Sequence, residues 1–176
     1  MGVIQNLYTK SKKREQIILR SVLIFGLISL PFSFHKPPIK DWLIVFFTKA
    51  TLSSFVASYL TTEGGIKFPV RYKPDRFGIS IVFDYLLFPL LCVWYNQLTY
   101  KSKWFLTICK AFCFSIPMTL IEILLERKTQ TVEYKKGWSW LTTFISLTVT
   151  FWLVRGFMSL IRFIDQRSIL NVERNP

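Results

Sequence analysis

Apolar residues in this chain fall into long, nearly continuous runs separated by short charged stretches. The runs cover roughly 17–34, 42–60, 78–99, 104–126 and 138–164. Each approaches or exceeds the ~20 residues that a helix needs to cross a ~30 Å hydrocarbon layer. The pattern predicts an all-α polytopic integral membrane protein, a bundle of about five transmembrane helices. The breaks carry turn chemistry: His35-Lys36-Pro37-Pro38 after the first run, Gly64-Gly65 after the second, and a tight turn over 100–103. No small-x-small cleavage site follows the first run, so it reads as a retained span. Outside the 17–164 helical domain lie a basic tail, 1–16, and a short polar tail, 165–176. In the first tail Val3, Ile4, Leu7 and Tyr8 stand at helical spacing before Lys10, Lys12, Lys13 and Arg14. That fits a short interfacial helix on an anionic leaflet or a simple positive flank. Trp42, Trp94, Tyr95, Trp104, Trp138 and Trp140 lie mostly near run ends, as in an interfacial aromatic belt.

Composition alone does not separate this chain from a soluble one. It has 176 residues, room for one domain, with 51% hydrophobic residues and a mean hydropathy of +0.35. Soluble domains can also be about half apolar. The distribution decides. The net charge of +13 raises nucleic-acid binding, but the bases sit mainly at the ends of apolar runs. There they set orientation and meet anionic lipid headgroups, so the bilayer and not a nucleic acid is the expected partner. Twelve Lys and Arg fall in the 1–16 tail and the 61–77 and 127–137 loops, against six on the other face. The excess predicts a cell-membrane protein with a cytoplasmic N-terminus and a C-terminus outside. Cys92, Cys109 and Cys113 all lie inside apolar runs without a nearby histidine, which reads as packing. No metal, cofactor or disulfide framework is implied.

The spans are not uniformly apolar. Lys49, Asp84, Lys110, Glu122 and Arg155, with Arg20, Arg162 and the polar pair Asn96-Gln97, lie inside them. An ionisable group costs at least ~2.5 kcal/mol at a helix centre, so such groups face the bundle interior and find partners. Counting ~1.5 Å per residue puts Lys49, Lys110 and Arg155 toward the outer half and Asp84 and Glu122 toward the inner half. One reading is structural: interhelical salt bridges plus snorkelling to the nearer interface. The other is a polar pathway or pocket, with an outer basic cluster for an anionic headgroup or solute and inner acids to relay protons or cations. Pro89 and Pro117 would free backbone carbonyls near mid-membrane, where breaks often line cavities, or act as plain kinks. In the 61–77 loop, Lys67, Arg71, Lys73 and Arg76 alternate with aromatic or apolar residues and fit an anionic-lipid contact. The chain has no Gly-rich phosphate loop, no His-Glu-x-x-His and no G-x-S-x-G.

Several stretches carry a likeness to known sequences: Lys40-Asp41-Trp42-Leu43-Ile44-Val45, Phe68-Pro69-Val70-Arg71, and Phe83-Asp84-Tyr85-Leu86-Leu87-Phe88-Pro89 running on to Tyr95-Asn96-Gln97. Ser115-Ile116-Pro117-Met118-Thr119 and Tyr134-Lys135-Lys136-Gly137-Trp138 continue it. Through them, most of 40–155 resembles an uncharacterised family of small multi-pass membrane proteins from spore-forming Bacillota. The resemblance implies a Gram-positive cell-membrane protein and brings no activity, substrate or catalytic residue with it.

Three functions are compatible with these residues. The first is a non-enzymatic structural, accessory or regulatory membrane component, in a complex or homo-oligomer; five spans are few for a complete secondary transporter. The second is a small transporter or channel using the in-membrane charges. The third is a membrane-embedded lipid-modifying enzyme. The charge count also makes a direct prediction: a reporter fused after Pro176 should be active on the extracytoplasmic side only. A cytoplasmic signal would refute the span count or the orientation.

Overall fold

Helices form along much of each apolar run, and at several ends they outlast it. The computed structural model describes residues 2–67, 80, 82–129, 133–134 and 137–174. Helix α1 runs Gly2–Phe34, α2 Ile39–Thr62, α3 Phe88–Thr99, α4 Trp104–Lys128 and α5 Trp140–Arg174. Four of these contain segments long and apolar enough to cross a membrane: Glu15–Phe34, Ile39–Thr62, Trp104–Lys128 and Trp140–Arg167.

The differences from the sequence reading have local causes. In the 1–16 tail the backbone is helical from Gly2 and runs straight into the first span. Lys, Arg, Glu and Gln are good helix formers, and no proline interrupts them there. At the other end, too, the helix continues, with α5 running on through the polar residues 165–174. Its start is later than the expected 138, since Gly137 adopts a positive φ of 78° just before it. The second and fourth helices extend two residues beyond the expected ends, to Thr62 and Lys128. The third span changes most. Gly78 and Ile79 lie outside the described residues, and Ser80 is not helical. The helix opens instead with a π-turn, Phe83–Leu87, which leads into α3. Phe88 N–H bonds the Phe83 carbonyl, one residue further back than in an α-helix. Pro89, the second residue of α3, has no N–H to give to this widened turn.

One short backbone ladder and one side-chain hydrogen bond complete the connections. Strand β1, Ile66–Lys67, pairs antiparallel with β2, Glu133–Tyr134, joining the loop after α2 to the loop after α4. At the other end of the bundle Trp42 Nε1 donates to the Lys36 carbonyl (2.8 Å) and closes the α1–α2 turn.

The bundle is apolar outside, and polar side chains share its interior with apolar ones. Phe32, Phe47, Phe55, Tyr59, Trp104 and Leu120 are exposed, while Ser33, Asn96, Thr99, Ser115 and Thr119 are buried. A lipid solvent permits this arrangement, because apolar side chains gain nothing by leaving it. The buried hydroxyls are satisfied within their own helices: Ser115 donates to Ala111 C=O (3.1 Å) and Thr119 to Ser115 C=O (2.8 Å). Tyr95, fully buried, stands at the centre, its ring against Phe114 and Phe151 and its hydroxyl donating to Thr107 C=O at 3.0 Å. Around it Trp42, Val45, Ala111, Val154 and Met158 form the larger core cluster, and Leu19, Phe83, Met118 and Leu147 a smaller one.

Helix α1 is held to the third helix by polar and steric fit together. Trp94 Nε1 donates to Ser33 Oγ (2.7 Å) and Gln97 Nε2 to Ser33 C=O (2.6 Å). A Cβ at Gly26 would lie 2.5 and 2.7 Å from Leu86 Cδ2 and Cγ, so the bare glycine admits the Leu86 side chain. Gly26→Val is therefore expected to destabilise the detergent-solubilised protein by about 1–3 kcal/mol through overpacking. Thermal unfolding measures this, and Leu86→Ala in the same chain should return part of the loss. If the second change only adds to the first, the contact is not the cause.

Candidate functional site

Lys49 on α2, Asp84 in the π-turn and Glu122 on α4 are distant in sequence but line one cavity. It has a volume of about 100 Å³ and lies between α2, the π-turn, α4 and α5. Its apolar walls include Phe83, Phe88, Met118 and Leu147, and its hydroxyls Ser53, Thr143, Ser146 and Thr150. The cavity exists because α2 packs on α1, α3 and α5 while α4 packs on α3 and α5, leaving α2 and α4 apart. Val56 and Ile121, which also line it, are 42% and 46% exposed, so it opens sideways toward the lipid between α2 and α4.

Lys49 and Asp84 are buried, at 4% and 5% exposure, and feel each other's charge. They do not touch: neither belongs to an ion pair, and no hydrogen bond is made by the Lys49 ammonium. That ammonium sits 5.7 Å from the centre of the Phe88 ring instead, within cation–π range. Asp84 Oδ2 is buried and has no hydrogen-bond partner. Glu122 is better supported, since Thr143 Oγ1 donates to Oε1 (3.0 Å) and Trp138 Nε1 donates to Thr143 Oγ1 (3.0 Å).

The other in-span bases do different work. Lys110 Nζ donates to Leu98 C=O (3.1 Å) and to Ser102 Oγ (2.8 Å). Arg155 Nη2 donates to the carbonyls of Thr99 (3.1 Å) and Tyr100 (3.4 Å). Both cap the C-terminus of α3, where the last carbonyls have no intrahelical donor and the helix dipole favours positive charge. Arg155 also lines a shallower cavity of about 350 Å³ with Tyr95, Ser102, Trp104 and Ser159. The expected outer group of bases thus divides: Lys110 and Arg155 stay at the α3 end, while Lys49 joins the acids.

The remaining sequence candidates are placed as follows. Asn96 Nδ2 bonds the Cys92 carbonyl (2.9 Å) inside α3, and Gln97 ties α3 to α1. Neither lines the charged cavity. Pro89 belongs to the first turn of α3, and Pro117 is exposed within α4. Lys67 contributes backbone to β1, whereas Arg71, Lys73 and Arg76 lie outside the described residues. Among the described residues no group of His, Cys, Asp and Glu could hold a metal ion.

Sequence reasoning overlooked two residues that matter here. Asp41 Oδ2 pairs with Arg162 Nε at 2.6 Å, and the Arg162 guanidinium lies 4.4 Å from the centre of the Tyr100 ring. The signal was present, since Asp41 opens α2 at the same depth at which Arg162 nears the far end of the fifth span. Glu15 is fully buried at the start of the first membrane segment, although its neighbours in sequence are basic.

The chain matches no protein-family model, no curated protein and no solved structure. The resemblance over 40–155 therefore gains no support from these comparisons.

The Asp41–Arg162 pair joins α2 to α5, so its strength is measurable. A double-mutant cycle with Asp41→Asn and Arg162→Gln, read by thermal unfolding, is expected to give a coupling of about 1 kcal/mol. Strict additivity would mean that the bridge ties nothing.

Proposed function

We propose that this chain is a non-enzymatic integral membrane component whose working part is the charged cavity, with its N-terminus in the cytoplasm. It holds a ligand within the membrane, in the manner of a regulatory or accessory subunit in a complex or homo-oligomer. One observation carries this reading: two buried opposite charges, Lys49 and Asp84, face the same cavity without contact. Groups that merely fasten helices are expected to be in contact, because only close, well-bonded geometry offsets the loss of water. The Asp41–Arg162 pair has that form, and the cavity residues do not. The mostly apolar walls of the cavity support a binding role over catalysis.

Stability tests this reading. Removing one partner of a contacting buried pair costs about 3–5 kcal/mol. Asp84→Asn is instead expected to accumulate in the membrane and to unfold near the parent temperature, because Oδ2 surrenders no hydrogen bond. A loss of that larger size, relieved by adding Lys49→Met, would identify a structural pair and overturn the proposal.

A further inference from the structure

We propose that the cavity takes an amphiphilic zwitterion: a small molecule carrying a primary ammonium, an anionic group a few ångströms away, and an apolar portion. The inference rests on the binding role proposed above and names its ligand.

The argument begins with what the two charges lack. Asp84 Oδ2 offers a buried acceptor with nothing donating to it. The Lys49 ammonium has three donors and an aromatic face below it, but no oxygen or nitrogen within hydrogen-bonding distance. Each group is more than nine-tenths buried. A lone cation would be repelled by Lys49, and a lone anion by Asp84. A metal ion is disfavoured by the same lysine and by the aromatic and aliphatic walls. A zwitterion satisfies both groups at once: its ammonium meets Asp84 and its anionic oxygen meets Lys49. The pair and the ligand each sum to zero charge, so filling the site adds no net charge to the cavity, whose third charged group, Glu122, is bonded by Thr143.

The surroundings fit the rest of such a molecule. Met118 and Leu147 wall the cavity next to the charges, and its open side, at Val56 and Ile121, faces the lipid. An apolar tail can lie there while the head stays inside. At about 100 Å³ the enclosed space suits a head with a short stem and not a whole lipid. The source is a zwitterionic lipid of the ammonium–phosphate type or a free apolar amino acid; the chemistry at Lys49 and Asp84 is shared.

Equilibrium dialysis of the purified full chain in detergent micelles, against empty micelles, tests this with four probes. Three share an apolar chain: 2-aminooctanoate, octylammonium and octanoate. The fourth is dihexanoyl phosphatidylethanolamine. The expected result is retention of at least one zwitterion roughly tenfold more tightly than either singly charged chain. Retention of the lipid or of the amino acid then identifies the source. Asp84→Asn and Lys49→Met should each weaken the zwitterion about tenfold. Asp84→Asn should weaken octylammonium but not octanoate, and Lys49→Met the reverse. Ser53→Leu, which fills the cavity without altering charge, should weaken every probe and keeps the test open if a charge variant fails to fold. Equal retention of singly charged and zwitterionic probes, or retention untouched by all three substitutions, would overturn the proposal. If Asp84→Asn stays stable while zwitterion retention is unchanged, the ligand assignment falls and the binding role stands.

Discussion

A charge or an unbonded carbonyl inside hydrocarbon must find its partner within the protein, and much of this bundle follows from that constraint. Helix α3 is the clearest case. It is short, it stands at the centre, and its last carbonyls lie beyond the reach of donors from a following helical turn, with Ser102 N–H of the tight turn reaching only Thr99 C=O (3.0 Å). Lys110 from α4 and Arg155 from α5 supply them. The same two contacts therefore finish one helix and anchor two others around it. Gln97 works similarly in the other direction, reaching the carbonyl of Ser33 near the end of α1. Polar contacts of this kind give a membrane bundle its specificity, because burying apolar surface does not distinguish a helix neighbour from a lipid tail.

Against that background the Lys49–Asp84 arrangement stands apart. Elsewhere bases meet carbonyls or carboxylates at 2.6–3.4 Å. At the cavity a base and an acid lie close enough to interact and yet leave space between them. The π-turn has a part in this. By inserting an extra residue into the turn at Phe83–Leu87, it rotates Asp84 relative to α3 proper. π-turns of this sort recur at functional sites, and this one carries the acid that the cavity depends on.

Much of the architecture was legible in the sequence because hydrocarbon thickness imposes a length on every span. The long apolar runs became helices at nearly the expected places. Helix ends were less legible. Good helix formers in 2–16 and 165–174 carry α1 and α5 past the apolar runs, so hydropathy alone understates them. The in-span charges were identified as a set, but one-dimensional depth could not say which residues share a helix face or a neighbour. Lys49 and Lys110 sit at similar distances from their span ends, yet one faces Asp84 and the other caps α3. That distinction arises from helix rotation, and the π-turn shifts the rotation by an amount the sequence does not advertise. Gly26 was equally silent, since its meaning comes from Leu86, sixty residues away.

The backbone pairing of β1 with β2 bears on how the bundle can move. It fastens the loop leaving α2 to the loop leaving α4, the two helices whose separation forms the cavity mouth. At the opposite end Arg162 fastens α5 to the start of α2. Helix α2 is thus tied at both ends, to the loop after α4 at one and to α5 at the other, and left untied to α4 in the middle. A bowing of α2 against α4 would widen the cavity's side entrance without parting either tie. The stiffness of two long helices, and not a lid or a flexible loop, would then set how readily the site exchanges its contents with the bilayer.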